Sequence, residues 1–183
     1  AEAINASDAA IVPCRSQAES FPPELRSQLT VLPEGLNHEC YRADSSASIT
    51  FKGRTFKAGE PLVTLVSRAL EPLRGLRQAL LAWPAIAAAI PNAQLLLVGE
   101  QNQGYGMEEA EEGLTHLGAC LANLPADIDQ QRIHVLGCVP HLEMVTLMQC
   151  SACHLALSYP YTLSWSVLEA MASSAALISN NCS

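Results

Sequence analysis

Apolar and polar positions follow one rhythm before Pro61 and another after it. In the first part, apolar runs at 9–13 and 29–32 read as short strands. Between them a short helix over 22–28 is opened by Pro22 and Pro23, since a first helical turn does not need the N–H that proline lacks. Pro33-Glu34-Gly35-Leu36-Asn37 has the composition of a turn, and the polar residues 42–48 read as a surface linker. Residues 49–57 alternate weakly and predict a small hairpin, with Gly53 and Gly59 at turns. From Pro61 onward, apolar runs at 62–66, 93–98, 133–136, 154–157 and 176–179 predict buried strands with helical stretches between them. In the first such stretch Leu73, Leu76, Leu80, Trp83, Ala87 and Ile90 recur at steps of three and four and form one helical face, which Pro84 should kink. After a Gly104-Tyr105-Gly106 loop, a helix is predicted over 108–124, its acidic start matching the positive end of the helix dipole. Further helices are predicted over 141–149 and from Ser166. Strands alternating with helices imply right-handed crossovers, so the fold class is α/β, a Rossmann-like doubly wound parallel sheet covered on both faces.

The stretch 159–172, Tyr-Pro-Tyr-Thr-Leu-Ser-Trp-Ser-Val-Leu-Glu-Ala-Met-Ala, joins the fourth of these strands to its helix. Pro160 breaks the strand, and Ser166 with Glu169 three residues on makes a capping box. Ligands of open α/β sheets sit at the carboxyl ends of strands, where helix N-termini offer N–H groups to anions, so the candidate site lies here.

Composition narrows the class. The chain has 183 residues, 49% of them apolar, with a mean hydropathy of +0.16, which describes a globular protein with one good core. It holds no apolar run long enough for a membrane span, and its Ala-rich opening lacks the basic start of a signal peptide, so a cytoplasmic location is expected. The 7 cysteines have no framework spacing and read as reduced thiols. A net charge of −8 argues against nucleic acid as a partner. Among the 10 basic residues, Lys52, Arg54, Lys57, Arg68, Arg74 and Arg77 share one short segment, which suggests a small anionic ligand; the bland alternative is a solvated hairpin, favoured for Lys52, Arg54 and Lys57. Cys150 and Cys153 have the spacing of redox and zinc sites, with His141 and His154 near in sequence, but no second pair completes four ligands and a structural role is expected.

Leu168-Glu169-Ala170-Met171-Ala172 resembles the second half of the signature of the retaining glycosyltransferases of family 4, the group 1 glycosyltransferases of GT-B fold. Tyr161 stands where the first Glu of that signature belongs. The resemblance extends to Gln17, Phe21, Pro22, Gly35 and Leu36, which fit the segment where such chains cross between domains, with Ser16 and Asn37 as departures. It implies that residues 1–42 are the end of an N-terminal domain and the crossover, and that residues 43–183 are the nucleotide-sugar-binding half of a GT-B fold, incomplete at both ends and inactive by itself. Ser67-Arg68 and Arg74-Gly75 resemble the segment whose Arg and Lys hold the donor diphosphate, with Ser67 in place of Gly and Arg74 in place of Lys. Gly99-Glu100 stands where the family has a second glycine-rich strand end, and Gly137-Cys138-Val139-Pro140 resembles a segment whose backbone lies against the nucleotide base.

The implied activity is transfer of a sugar, with retention, from a nucleoside diphosphate sugar to a glycan, lipid or small-molecule acceptor. By that resemblance Arg68, Arg74 and Glu169 are the catalytic candidates. Ser67, Gly99, Glu100, Cys138, Val139 and the turn Tyr161, Thr162, Leu163, Ser164, Trp165 and Ser166 are the substrate-binding candidates. No metal and no cofactor are expected, because cationic side chains and a helix N-terminus stabilise the leaving diphosphate. Each site residue has a plainer reading: Glu169 capping its own helix, the arginines as surface charges, Gly99 as a strand terminator. A non-catalytic nucleotide-binding module and an unrelated doubly wound enzyme remain the rivals.

Overall fold

The computed structural model describes residues 2–181 apart from 103, 107, 111 and 160–163. After a short α1 (Glu2–Asn5), the chain forms β1 (Ala10–Val12), α2 (Arg15–Glu19), α3 (Pro23–Arg26) and β2 (Leu29–Val31). The strands β1 and β2 pair in parallel, with Ala10 opposite Leu29. The alternating stretch is an antiparallel hairpin of β3 (Ser48–Phe51) and β4 (Arg54–Lys57), turning at Lys52-Gly53.

The rest builds one sheet. Its strands are β5 (Leu62–Ala69), β6 (Gln94–Glu100), β7 (Ile133–Gly137), β8 (Cys153–Ala156) and β9 (Ala176–Ser179), all parallel, in the spatial order β7-β6-β5-β8-β9. The connecting helices are α4 (Leu76–Ala89), α5 (His116–Ala122), α6 (His141–Cys150) and α7 (Trp165–Ala172). This order runs outward from β5 in one direction and then in the other, so the winding reverses between β5 and β8, where such sheets bind ligands.

Period-two burial puts successive strand residues on opposite faces. Leu95 and Leu97 pack with Leu76, Leu80 and Trp83 of α4. Leu96 and Val98 pack with Ile49 and Phe56 of the hairpin and Leu147 of α6. A sheet covered on both faces must be apolar throughout, which explains runs such as Leu95-Leu96-Leu97-Val98. Burying each such leucine fully is worth about 1.5–3 kcal/mol.

Three predicted boundaries change. Leu73 belongs to a separate 3-10 turn, Pro72–Arg74, and α4 begins at Leu76 and continues through Pro84. The helix expected from Glu108 begins instead at His116. Glu108 is engaged by Arg77 at 2.9 Å, Gly113 takes φ 79°, outside the helical region, and Thr115 supplies the cap by accepting from the Gly118 N–H at 3.0 Å. Finally, α7 is capped at Ser164 rather than Ser166, so the Ser166 and Glu169 pair is not a capping box. Ser164 itself makes no side-chain cap; its hydroxyl lies 2.9 Å from that of Ser166. Among the described residues no helix is long and apolar enough to cross a membrane.

Candidate functional site

A cavity of about 470 Å³ opens where the winding reverses. One wall is the end of β5, with Val66, Ser67 and Arg68, and the opposite wall is the end of β8 and the residues after it, Leu155 to Ser158. Among the described residues β5 and β8 pair only at Val63 with Cys153 and at Thr64 with His154, so their carboxyl ends extend past the paired positions to the cavity. Ser164, Trp165 and Ser166 line a third side, so the positive end of the α7 dipole lies at the wall.

Arg68 and Arg74 both line this cavity, although one ends a strand and the other ends the turn after it. Gly75 makes that possible. It sits at φ 79°, and a Cβ there would lie 2.5 Å from Leu157 Cβ and 2.7 Å from the Leu157 carbonyl oxygen, so only glycine lets the turn close against the end of β8. The guanidinium groups flank one ring: Tyr105 lies 5.5 Å from Arg68 and 5.8 Å from Arg74, and the Tyr105 hydroxyl accepts a hydrogen bond from Arg68 Nη1. Glu71 holds that loop. Only 1% exposed, its Oε2 accepts from the N–H groups of Tyr105 at 3.0 Å and Gly106 at 2.8 Å, while Oε1 lies 3.8 Å from Arg74 Nε.

Glu169 reaches the cavity from the first turns of α7 and is 8% exposed. Its carboxylate does not fold back on its helix; Oε1 accepts at 2.8 Å from the hydroxyl of Tyr41, a residue of the segment joining β2 to β3. Tyr41 packs edge-on to His141, with ring centres 5.8 Å apart. The same segment contributes Glu34, which lines the cavity and accepts from Trp165 Nε1.

The structure thus brings together Ser67, Arg68, Arg74, Ser164, Trp165, Ser166 and Glu169. It leaves Gly99, Glu100, Cys138 and Val139 at the neighbouring strand ends of β6 and β7, outside the cavity wall. There Cys138 Sγ donates to Glu100 Oε1 at 3.4 Å, and this carboxylate pushes the thiol pKa up. Tyr161, Thr162 and Leu163 lie outside the described residues. Sequence reasoning missed Tyr41, Glu71, Tyr105 and Glu34. Glu71 carried a local sign, an acidic residue three positions before Arg74; that pair forms, with Glu71 buried.

Lys52, Arg54, Cys150 and Cys153 lie outside the cavity wall. Lys52 Nζ donates to the Val135 carbonyl at 3.4 Å and Arg54 lies over Phe56 at 5.6 Å, both on the hairpin. Burial pushes the Cys150 thiol up to about 11 and raises Cys153 as well, which makes both poor thiolates at neutral pH. Among the described residues, no three or more His, Cys, Asp or Glu side chains are grouped to hold a metal ion.

A family profile described as "Glycosyl transferases group 1" matches residues 60–183. No curated protein matches the chain. Sucrose-phosphate synthase from Thermosynechococcus elongatus superposes with a TM-score of 0.67 at 19% identity, over 96% of this chain and 41% of the other. A TarM mutant from S. aureus, in complex with fondaparinux, alpha-GlcNAc-glycerol and UDP, superposes with a TM-score of 0.69 at 13% identity, over 97% of this chain and 31% of that one. The GtfA/B complex gives 0.61 at 15% identity, again over 97% and 31%. At these identities the likeness is one of fold, and the chain spans well under half the length of each neighbour.

Proposed function

The chain belongs to the group 1 glycosyltransferases, and from that premise we propose that it binds the donor of a sugar transfer, a nucleoside diphosphate sugar, in the cavity between β5 and β8. One observation carries the reading. Two cations, Arg68 and Arg74, and the start of α7 converge on one cavity that also holds a buried carboxylate, Glu169. A diphosphate needs the cations, and a ribose needs the carboxylate, which accepts from vicinal hydroxyls. As the bond from sugar to diphosphate breaks, negative charge grows on the leaving oxygen, and preorganised donors in a sheltered site stabilise that charge more than the bound ground state.

On this reading the enzyme is a hexosyltransferase of family 4 and proceeds with retention, without a metal or other cofactor. Residues 43–183 form the donor domain and residues 1–42 lead into it from the acceptor domain. The acceptor is a glycan, a lipid or a small molecule, nucleic acid has no part, and the setting is the cytoplasm. UDP bound to the TarM mutant supports a nucleotide at this kind of fold without fixing the base here. Tyr161 in place of the family's first Glu keeps one second reading alive, a domain that binds nucleotide without transfer.

Titration calorimetry with UDP, GDP and the free nucleosides tests the proposal. A diphosphate is expected to bind, and Arg68→Ala or Arg74→Ala to weaken it by about 1.5–3 kcal/mol while nucleoside binding barely moves. Absence of binding by every nucleoside diphosphate, or equal losses for nucleoside and diphosphate, would overturn it.

A further inference from the structure

We propose that Tyr41 is a positioning residue of this donor site: its hydroxyl fixes the Glu169 carboxylate so that the remaining lone pairs face the ligand's hydroxyl groups. The inference rests on the donor-site reading above and extends it to a residue 128 positions away, outside every motif of that reading. Tyr41 is 4% exposed, and its hydroxyl meets Glu169 Oε1 at 2.8 Å, whereas both ring nitrogens of His141 stand at the long limits of 3.4 and 3.5 Å. The carboxylate is therefore its principal partner.

An ionised carboxylate only accepts hydrogen bonds, and it has more acceptor positions than one donor can fill. With Tyr41 occupying one position on Oε1, the group cannot swing freely about its terminal torsion, and what it presents to the cavity is acceptor capacity alone. That arrangement selects ligand groups that donate, such as a diol, and repels groups that only accept. Burial first, and Glu169 second, push the ionisation of Tyr41 upward, so the hydroxyl remains a donor at neutral pH. The contact also ties the segment between β2 and β3 to the cavity, a link reinforced where Gln149 Nε2 donates to the Arg42 carbonyl at 3.1 Å.

The test uses Tyr41→Phe, which keeps the ring against His141, and measures binding of UDP or GDP, whichever the wild type binds more tightly, beside its 2′,3′-dideoxy counterpart. The expected result is a loss of about fivefold or more for the ribonucleotide, none for the dideoxy ligand, and no additional loss when Tyr41→Phe is placed on Glu169→Gln. A wild type that prefers the ribonucleotide and a Tyr41→Phe variant that binds it equally well would overturn the assignment. So would parallel losses for both ligands, which mark a structural role. A wild type that binds neither nucleotide sinks the donor-site reading, and this proposal with it.

If the variant does not fold, the wild type still answers. Among the 4 tyrosines, Tyr41 is identified by the nuclear Overhauser contacts of its ring with the ring of His141. Its signal should shift on adding the ribonucleotide and stay in place on adding the dideoxy form. A signal indifferent to both overturns the assignment.

Discussion

His154 shows how far the setting of one residue can depart from its sequence context. It stands beside Cys150 and Cys153, whose spacing is that of a metal site but for which a structural role is expected, and its side chain is fully buried, with Nδ1 3.0 Å from Thr64 Oγ1, itself 2.8 Å from Ser151 Oγ, and with Nε2 lacking a partner among the described residues. Burial lowers its pKa from 6.5 to about 4. The unfolded chain therefore takes up a proton near pH 6.5 that the folded chain refuses until about pH 4. Stability is fully present above 6.5 and is lost as pH falls through that window, by about 3 kcal/mol at 1.4 kcal/mol per pH unit. His134, lowered by burial and then by Arg54, acts in the same direction. Urea melts at pH 7, 5.5 and 4 should show falling midpoints, and His154→Leu should flatten the trend; an unchanged slope in the variant would place the acid sensitivity elsewhere.

Among the elements, the turn between β5 and α4 carries the most consequence. Gly75 and Gly113 share φ 79°, but a Cβ at Gly75 collides with Leu157, while one at Gly113 meets nothing within 4 Å. Gly113→Ala should lose only the backbone preference, about 1 kcal/mol, and leave nucleotide binding alone. Gly75→Ala should lose at least ~2 kcal/mol and weaken diphosphate binding as well, because Arg74 moves with the turn. Chemical denaturation and calorimetry of the pair separate the two effects. A second device closes the other end of α4: Arg132 donates to the carbonyls of Ala87, Ile90 and Ala93 at 3.2, 2.9 and 3.0 Å. Arg132→Ala leaves these acceptors without their charged partner, and a fall of about 1–3 kcal/mol is expected in the same melts.

The strands and the buried face of α4 were legible because burial on both sheet faces writes itself as short apolar runs, and because Leu76, Leu80, Trp83 and Ala87 keep helical spacing. Residues 108–115 misled because acidic residues favour a helix start wherever they stand, while Arg77 and Gly113 decide otherwise. In the site, Arg68 and Arg74 were legible by resemblance. Tyr41 and Tyr105 were not, since contacts across 128 and 37 positions leave no local pattern.

At the scale of the whole molecule, the sheet is unevenly laced. The strand pair β5–β6 matches residue for residue from Leu62 to Val66, and β8–β9 from Cys153 to Ala156, but β5 and β8 share two matched positions. A ligand held by Arg68 and Arg74 on one side and by the start of α7 on the other bridges the gap. Binding energy then appears as stability, about 2.7 kcal/mol at a hundredfold excess of ligand over Kd. Hydrogen exchange should slow most at the amides of β8, β9 and α7 when UDP or GDP is added; slowing spread evenly over β6 and β7 would contradict the arrangement. Seen mechanically, the gap between β5 and β8 is a seam, and a molecule pulled or heated should tear along it first. An occupied cavity is a rivet across that seam, so the unliganded chain should be the one proteases open.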